Sequence, residues 1–298
     1  MKHSRKKNIT FYILYGISYL HALLPFWVLY ILSDILFVFL YHVVRYRRKL
    51  VKKNLHNAFP AKSVWEIKHI ERKFYRHFCD YFVETIKTLK ISDKEVQKRM
   101  KFENPELINQ LTKDGNSCFL CMGHYANWEW ITSLGLQLRD DIEQRPIYKE
   151  LHNQSFDDLF LRIRSRFSPK PIEMNNAFRM IIKHRNMGKT MLIGFLADQR
   201  PPFYSDHYWT DFLHQDTLVQ TGMERLARKM GFSVVYLDMQ CVKRGYYTGT
   251  LSVITFDAST EPEFTITEKY MRALEKTILR DPAYYLWTHN RWKFKRQG

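Results

Sequence analysis

The chain is poor in cysteine, glycine, proline and acidic residues, and each shortage excludes something. Four cysteines in 298 residues, Cys79, Cys118, Cys121 and Cys241, are too few for a disulfide scaffold, and nothing in their placement demands an oxidising compartment. Cys118 and Cys121 fall in an apolar run and read as small buried hydrophobes before they read as a redox pair. Eleven glycines and ten prolines rule out collagen-like, low-complexity and broadly disordered chains. Asp and Glu number 30 against 47 Lys and Arg, leaving a net charge of +17. Such an excess suits an anionic partner, whether nucleic acid, an acidic protein or an anionic membrane surface. The mean hydropathy of −0.40 excludes a polytopic membrane protein. Several motifs are also missing. No Gly-x-Gly-x-x-Gly, Gly-x-Ser-x-Gly or His-Glu-x-x-His occurs, and the 12 histidines lack zinc-ligand spacing, so no metal site is expected. Gly188-Lys189-Thr190 resembles the end of a phosphate-binding loop, but Lys183 stands where its first glycine belongs. Basic and aromatic residues interleave without a stacking-platform motif, so no nucleic-acid partner is expected.

One segment departs from the polar average. Residues 9–44 contain a single ionised side chain, Asp34, and would span about 54 Å as continuous helix, more than the ~30 Å hydrocarbon core of a bilayer. Pro25 divides the run, and basic residues flank both ends: Lys2, Arg5, Lys6 and Lys7 before it, Arg45, Arg47, Arg48, Lys49, Lys52 and Lys53 after it. With both flanks positive, a hairpin or a shallow interfacial pair fits better than one clean span. The bland alternative is a helical hairpin buried in a soluble core. The reading taken is a membrane-anchoring helical segment over residues 1–46, with a catalytic domain over residues 47–298 in the cytoplasm.

Beyond the anchor, Ser63-Val64-Trp65-Glu66 forms a capping box, and apolar residues from Ile67 to Leu89 recur every three or four positions. Short apolar runs at 117–122, 191–197, 233–239 and 250–256 predict strands, the first two buried on both faces. Segments 126–138, 177–185 and 219–230 predict helices, Gly231 stopping the last, and Thr265 to Glu268 caps a final helix to about residue 279. Strands alternating with helices imply an α/β layer fold, a mixed sheet flanked by helices.

The chemically informative stretch is Gly123-His124-Tyr125-Ala126-Asn127-Trp128-Glu129, where a buried strand ends and a histidine enters the following turn. Carboxyl ends of strands in α/β sheets are where ligands bind. Within a helix, His124 and Glu129 would stand about 140° apart, so they meet only if His124 lies in a non-helical entry turn, which Gly123 makes cheap. A carboxylate on one imidazole nitrogen would set the tautomer and leave the other nitrogen to take a proton from a hydroxyl. On spacing alone, a lone histidine near a lone glutamate is more often structural.

The same stretch resembles the His-x4-Asp/Glu motif of the lysophospholipid acyltransferase superfamily, and is most similar to the late lauroyl and myristoyl transferases of lipid A biosynthesis. Further blocks follow in the family's order: Arg47-Arg48 through Asn54-Leu55 to Phe59-Pro60; Ile147-Tyr148-Lys149 with Asn153 and Leu161-Arg162-Ile163-Arg164; Phe195-Leu196-Ala197-Asp198-Gln199; and Tyr284 to Trp292. The resemblance implies a glycerol-phosphate-acyltransferase-like fold and transfer of a fatty acyl chain from a thioester, acyl carrier protein or acyl-CoA, to a hydroxyl of a lipid A precursor. The site would lie on the cytoplasmic face of the inner membrane and need no cofactor or metal. It makes His124 the general base and Glu129 its orienting partner, with Arg164 and Asp198 in the active site and Tyr148 and Lys149 lining the acceptor site. Arg164 has a second reading as part of a solvated helix face, and Asp198 as a turn-capping aspartate. The stretch from Gln199 through Pro202, Phe203 and His207 to Phe212 departs from the family's Gly-rich loop. That leaves acceptors such as an amino-acid lipid, lysophospholipid or glycolipid open, along with a non-catalytic basic membrane adaptor.

Overall fold

The computed structural model describes residues 8–167, 171–201 and 208–296. The basic flank Lys2, Arg5, Lys6 and Lys7, and the loop residues Pro202, Phe203 and His207, lie outside the described residues. Proline divides the apolar segment because it allows neither its own amide nor the residue before it to continue a helix. Helix α1 (Ile9–Leu23) therefore stops at an extended Leu24, and α2 (Phe26–Val38) starts afresh after Pro25, continued by a π-helical turn over Phe39–Val43.

Both helices are apolar nearly all round, yet each has two distinct faces. Ile9, Ile13, Ile17 and Leu20 of α1, and Trp27, Ile31, Ile35 and Val38 of α2, are exposed at the same four-four-three spacing, which is one helical stripe. The buried faces mix serine and alanine with large apolar residues: Phe11, Ser18 and Ala22 on α1, and Leu29, Ser33 and Phe37 on α2. Polar bonds tie that inner side to the rest of the chain. Ser33 donates to Asp80 at 2.6 Å, Arg244 bridges Asp80 and Asp34, and Lys87 donates to the carbonyls of Ala22 and Leu24.

A turn with Arg45 and Arg47 in left-handed conformation (φ 54° and 51°) leads into α3 (Arg48–Ala58). The capping box at Ser63 forms as the sequence predicts and opens α4 (Val64–Lys87). Then come α5 (Asp93–Arg99), β1 (Met100–Glu103), α6 (Glu106–Leu111), β2 (Cys118–Met122), β3 (Ile142–Gln144), β4 (Ile147–Tyr148), α7 (Gln154–Arg164) and β5 (Ile172–Glu173). They are followed by α8 (Ala177–Asn186), β6 (Thr190–Leu196), β7 (Tyr208–Phe212), β8 (Gln215–Val219), α9 (Gly222–Met230), β9 (Ser233–Lys243), β10 (Tyr246–Thr255) and α10 (Thr265–Arg280).

Six strands form one mixed sheet in the order β1-β10-β9-β2-β6-β3. The central β2 runs parallel to β6 and β9, and only β9 with β10 is antiparallel. All five residues of β2 are buried, as a strand covered on both faces requires. Burial pushes the Cys118 thiol up to about 12, which makes it an inert core group. Side chains of β9 alternate: Tyr236 and Asp238 reach Thr277 on α10, whereas Tyr247, paired with Cys241, points to the other face and bonds α4.

Three local expectations give way to specific contacts. Segment 126–138 is not an α-helix: Ala126 takes φ +52°, and a 3₁₀ stretch runs over Trp128–Gln137. Thr132 and Ser133 there donate to carbonyls three residues back, favouring the tighter turn. Val219 ends β8, so α9 begins at Gly222, although Gly231 closes it at φ +64° as anticipated. Thr265 is the first residue of α10 rather than its cap, because Glu268 accepts from Tyr208 at 2.7 Å instead of closing a capping box.

Candidate active site

Strands β2 and β6 are parallel neighbours, and their carboxyl ends reach the same edge with Met122 opposite Leu196. His124 and Asp198 follow those two ends. The Asp198 carboxylate holds His124 at two points: Oδ2 accepts from the His124 main-chain N–H at 3.1 Å, and Oδ1 lies 2.7 Å from ring Nδ1. Asp198 is buried, at 1% exposure. Burial opposes its charge, but His124 and the bonds it makes outweigh that and hold the carboxyl below the usual range. An ionised Asp198 accepts a proton-bearing Nδ1, so the neutral imidazole presents an unprotonated Nε2. The side-chain amide of Gln199 meets that nitrogen at 3.2 Å, and the Gln199 carbonyl accepts from Gln220 at 3.1 Å.

Gly123 eases this approach. A Cβ there would lie 2.5 Å from a terminal methyl of Leu274 on α10, so any other residue would make that side chain shift. The main chain beyond is pinned by Ala126 donating to the Tyr284 carbonyl and by His77, whose Nε2 meets the Ala126 carbonyl at 3.2 Å. Burial takes His77 down to about 4, so it is a neutral prop.

Glu129 is not at the imidazole. Its carboxylate is gripped by Arg164, with Nε at 3.0 Å from Oε2 and Nη2 at 2.7 Å from Oε1. Burial works against the Arg164 charge, and Glu129 more than compensates, raising its already high pKa further. The orienting contact anticipated from Glu129 is thus made by Asp198, because two strand ends converge where five residues of local chain do not. Arg164 is three-quarters buried and faces Glu129, so it is not part of a solvated helix face. Asp198 does cap the His124 turn, and it does so while holding the ring.

A cavity of about 450 Å³ opens on this arrangement, and it is lined by His124, Glu129, Tyr148, Lys149 and Arg164 together with Trp128, Phe195, Gln199 and Gln220. Five of the six residues singled out from the sequence share its wall, and Asp198 lies beneath. A larger groove, about 820 Å³, runs along α10 and contains none of them; several of its charges are engaged in pairs such as Arg280 with Asp238. The chemistry therefore selects the smaller cavity. Sequence reasoning passed over Trp128, whose ring stands 5.3 Å from His124 and stacks on Tyr81 at 4.0 Å, and Gln199, whose position beside Asp198 at a strand end was the available signal. Chemically, the site offers a carboxylate-oriented imidazole base at the mouth of a partly apolar pocket, suited to removing a proton from a hydroxyl.

A family model described as bacterial lipid A biosynthesis acyltransferase matches residues 1–294. The chain is 24% identical over 286 residues to a lipid A biosynthesis palmitoleoyltransferase of Escherichia coli (strain K12), covering 95% of this chain and 90% of that protein. A lipid A biosynthesis acyltransferase of Shigella flexneri gives the same identity and coverage.

Proposed function

The chain belongs to the family of bacterial lipid A biosynthesis acyltransferases, and from that premise we propose that His124 is the general base of an acyl transfer from a thioester to a hydroxyl of a lipid A precursor. Nε2 of His124 takes the hydroxyl proton as the oxygen attacks the thioester carbonyl. The tetrahedral intermediate then collapses with cleavage of the C–S bond, and the imidazolium returns the proton to the departing thiolate. Asp198 holds Nδ1 and stabilises the transient imidazolium. Glu129 acts at one remove, fixing Arg164 against the cavity wall. The Gln199 amide occupies the lone pair that the hydroxyl needs, so it swings aside when the acceptor binds and becomes free to donate toward the developing oxyanion. The observation that carries this reading is the 2.7 Å contact between Asp198 and Nδ1 of His124, which leaves Nε2 facing the cavity.

Acyl carrier protein is the proposed donor, because its acidic surface complements a chain of net charge +17. The exposed stripes of α1 and α2 are proposed to lie in the cytoplasmic leaflet of the inner membrane. Large apolar side chains displayed in a row are a lipid-contacting pattern. Helix α2 and the π-helical turn that continues it make an 18-residue apolar stretch, Phe26–Val43, of mean hydropathy 1.9. The bonds from Ser33, Asp34 and Tyr30 to α4 and Arg244 lay this helix along the body of the protein, which favours an interfacial pair over a transverse span.

The test is a mass-spectrometric comparison of total lipids from source cells with and without the gene. A lipid A species lighter by one acyl chain, other lipids unchanged, supports the assignment and gives the acyl length. An unchanged lipid A with a different missing lipid moves the same chemistry to another acceptor.

A further inference from the structure

Glu84 is the most deeply placed carboxyl group outside the cavity. It sits on α4 with no exposed surface, and its three donors come from three separate parts of the chain. Tyr30 of α2 donates to Oε1 at 3.0 Å, whereas Asn127 of the catalytic turn and Tyr247 of β10 donate to Oε2 at 2.7 and 2.8 Å. Among the described residues no cation pairs with it, and the neighbouring Arg244 is engaged by Asp80 and Asp34. Burial, reinforced by Asp80, pushes Glu84 up to about 7. A carboxyl group at such a place costs stability compared with an apolar residue, so what it contributes is the arrangement of its partners.

Those partners connect the membrane-facing helix to the catalytic turn. Asn127 lies between His124 and Glu129, and its side chain is held at both ends, the amide nitrogen on Glu84 and Oδ1 accepting from the Trp130 main-chain N–H at 3.3 Å. Its neighbour Trp128 packs on the His124 ring. Helix α2 touches the same turn a second time, where Phe26 meets Trp130 edge-on at 6.2 Å. Tyr30 lies about a quarter turn round α2 from the exposed stripe of Trp27, Ile31, Ile35 and Val38, on the flank that leads to the buried Leu29, Ser33 and Phe37.

We propose that Tyr30, Glu84 and Asn127 are positioning residues that couple the seating of α2 to the geometry of the His124–Glu129 turn, so that the amino-terminal helices complete the active site as well as anchoring it. Removing the Tyr30 hydroxyl strips one of Glu84's three donors, and the carboxyl then competes for the Asn127 amide in a new position. The turn loosens, and His124 with Trp128 spends less time in the reactive arrangement.

The activity arm of the test rests on the acyltransferase reading; a second arm does not. Full-length wild type, Tyr30→Phe, Asn127→Ala and the double variant are reconstituted in anionic phospholipid vesicles. Acyl transfer, vesicle flotation and amide hydrogen exchange over residues 123–130 are then measured. The expected result for Tyr30→Phe is a kcat about tenfold lower, the scale of one hydrogen bond to a carboxyl group, with KM and flotation unchanged. Exchange in 123–130 should be faster by a similar factor, and the double variant should be no worse than Asn127→Ala alone. Unchanged exchange in 123–130, or strictly additive losses in the double variant, would overturn the coupling. If the wild type transfers no acyl group at all, the functional reading has failed, and the exchange comparison alone decides the proposal.

Discussion

His124 and Asp198 stand opposite one another because each lies two residues beyond a register pair, Met122 with Leu196, at the ends of parallel neighbouring strands. The 74-residue separation of His124 and Asp198 equals that of the paired strand ends. Their 2.7 Å contact is thus a consequence of strand register: a one-residue slip of β6 would turn Asp198 to the other side of the sheet edge.

This relationship makes Asp198 the more sensitive of the two carboxylates. Asp198→Asn removes the negative charge and replaces one of the two acceptor oxygens at His124 with a donor, and the expected loss in kcat is about 10²–10⁴-fold, comparable to His124→Ala, with folding intact. Thioester consumption by purified variants with matched circular dichroism checks it. A near-wild-type rate for either variant contradicts the assigned base.

Glu129 and Arg164 should behave as a structural pair. Glu129→Ala strands a largely buried guanidinium and should lower stability by roughly 2–4 kcal/mol, whereas the double variant with Arg164→Ala should recover part of that loss. Urea unfolding of the two single variants and the double variant gives the coupling directly. If Glu129→Ala is as stable as wild type but inactive, the carboxylate acts on the substrate instead.

Much of this was readable beforehand, for physical reasons. Strands β2 and β6 advertise themselves as nearly continuous apolar runs, β9 and β10 as shorter ones, and the Ser63 box is a local device that tertiary contacts leave alone. Strands β3, β4 and β5 have two or three residues each, too few to carry a period. The β7–β8 hairpin mixes Asp211, Gln215 and Asp216 with aromatics and lacks a glycine turn; Leu213 and His214 take positive φ instead. Each group of the site was identifiable by type. Which carboxylate meets the imidazole was not, since sequence spacing measures local reach whereas the partner arrives through the sheet.

Electrostatic steering should be visible as a salt effect. Turnover with an acidic acyl carrier protein is expected to fall several-fold between about 50 and 300 mM salt, mainly through slower association. Kinetics insensitive to salt would point to acyl-CoA as the donor.

The exposed stripes predict how the chain partitions. Replacing Trp27, Ile31 and Ile35 together with serine removes roughly 1.5–3 kcal/mol of apolar burial per residue, so vesicle binding should weaken by at least about a hundredfold. Flotation with anionic vesicles measures it, and unchanged binding would place the lipid contact elsewhere.

Glu84 gives a pH signature. Its folded pKa of about 7 lies above the ordinary carboxyl value of 4.5. Its stabilising contribution is therefore complete below about 4.5 and is lost as the pH rises through 7. Glu84→Gln cannot ionise, so its thermal midpoint should gain on wild type between pH 5 and pH 8. A constant difference across that range would show that Glu84 does not titrate there.

The bridge from Asp34 to Arg244 spans 210 positions, and that span sets a timetable. On the ribosome, at ~5–20 residues per second, the guanidinium emerges roughly 10–40 s after the carboxylate it will meet. Throughout that interval the apolar stripes are already out and Asp34 lacks this partner, so α1 and α2 wait for the sheet that will receive α2. The first segment made is therefore among the last to be seated, and the chain closes on its own beginning.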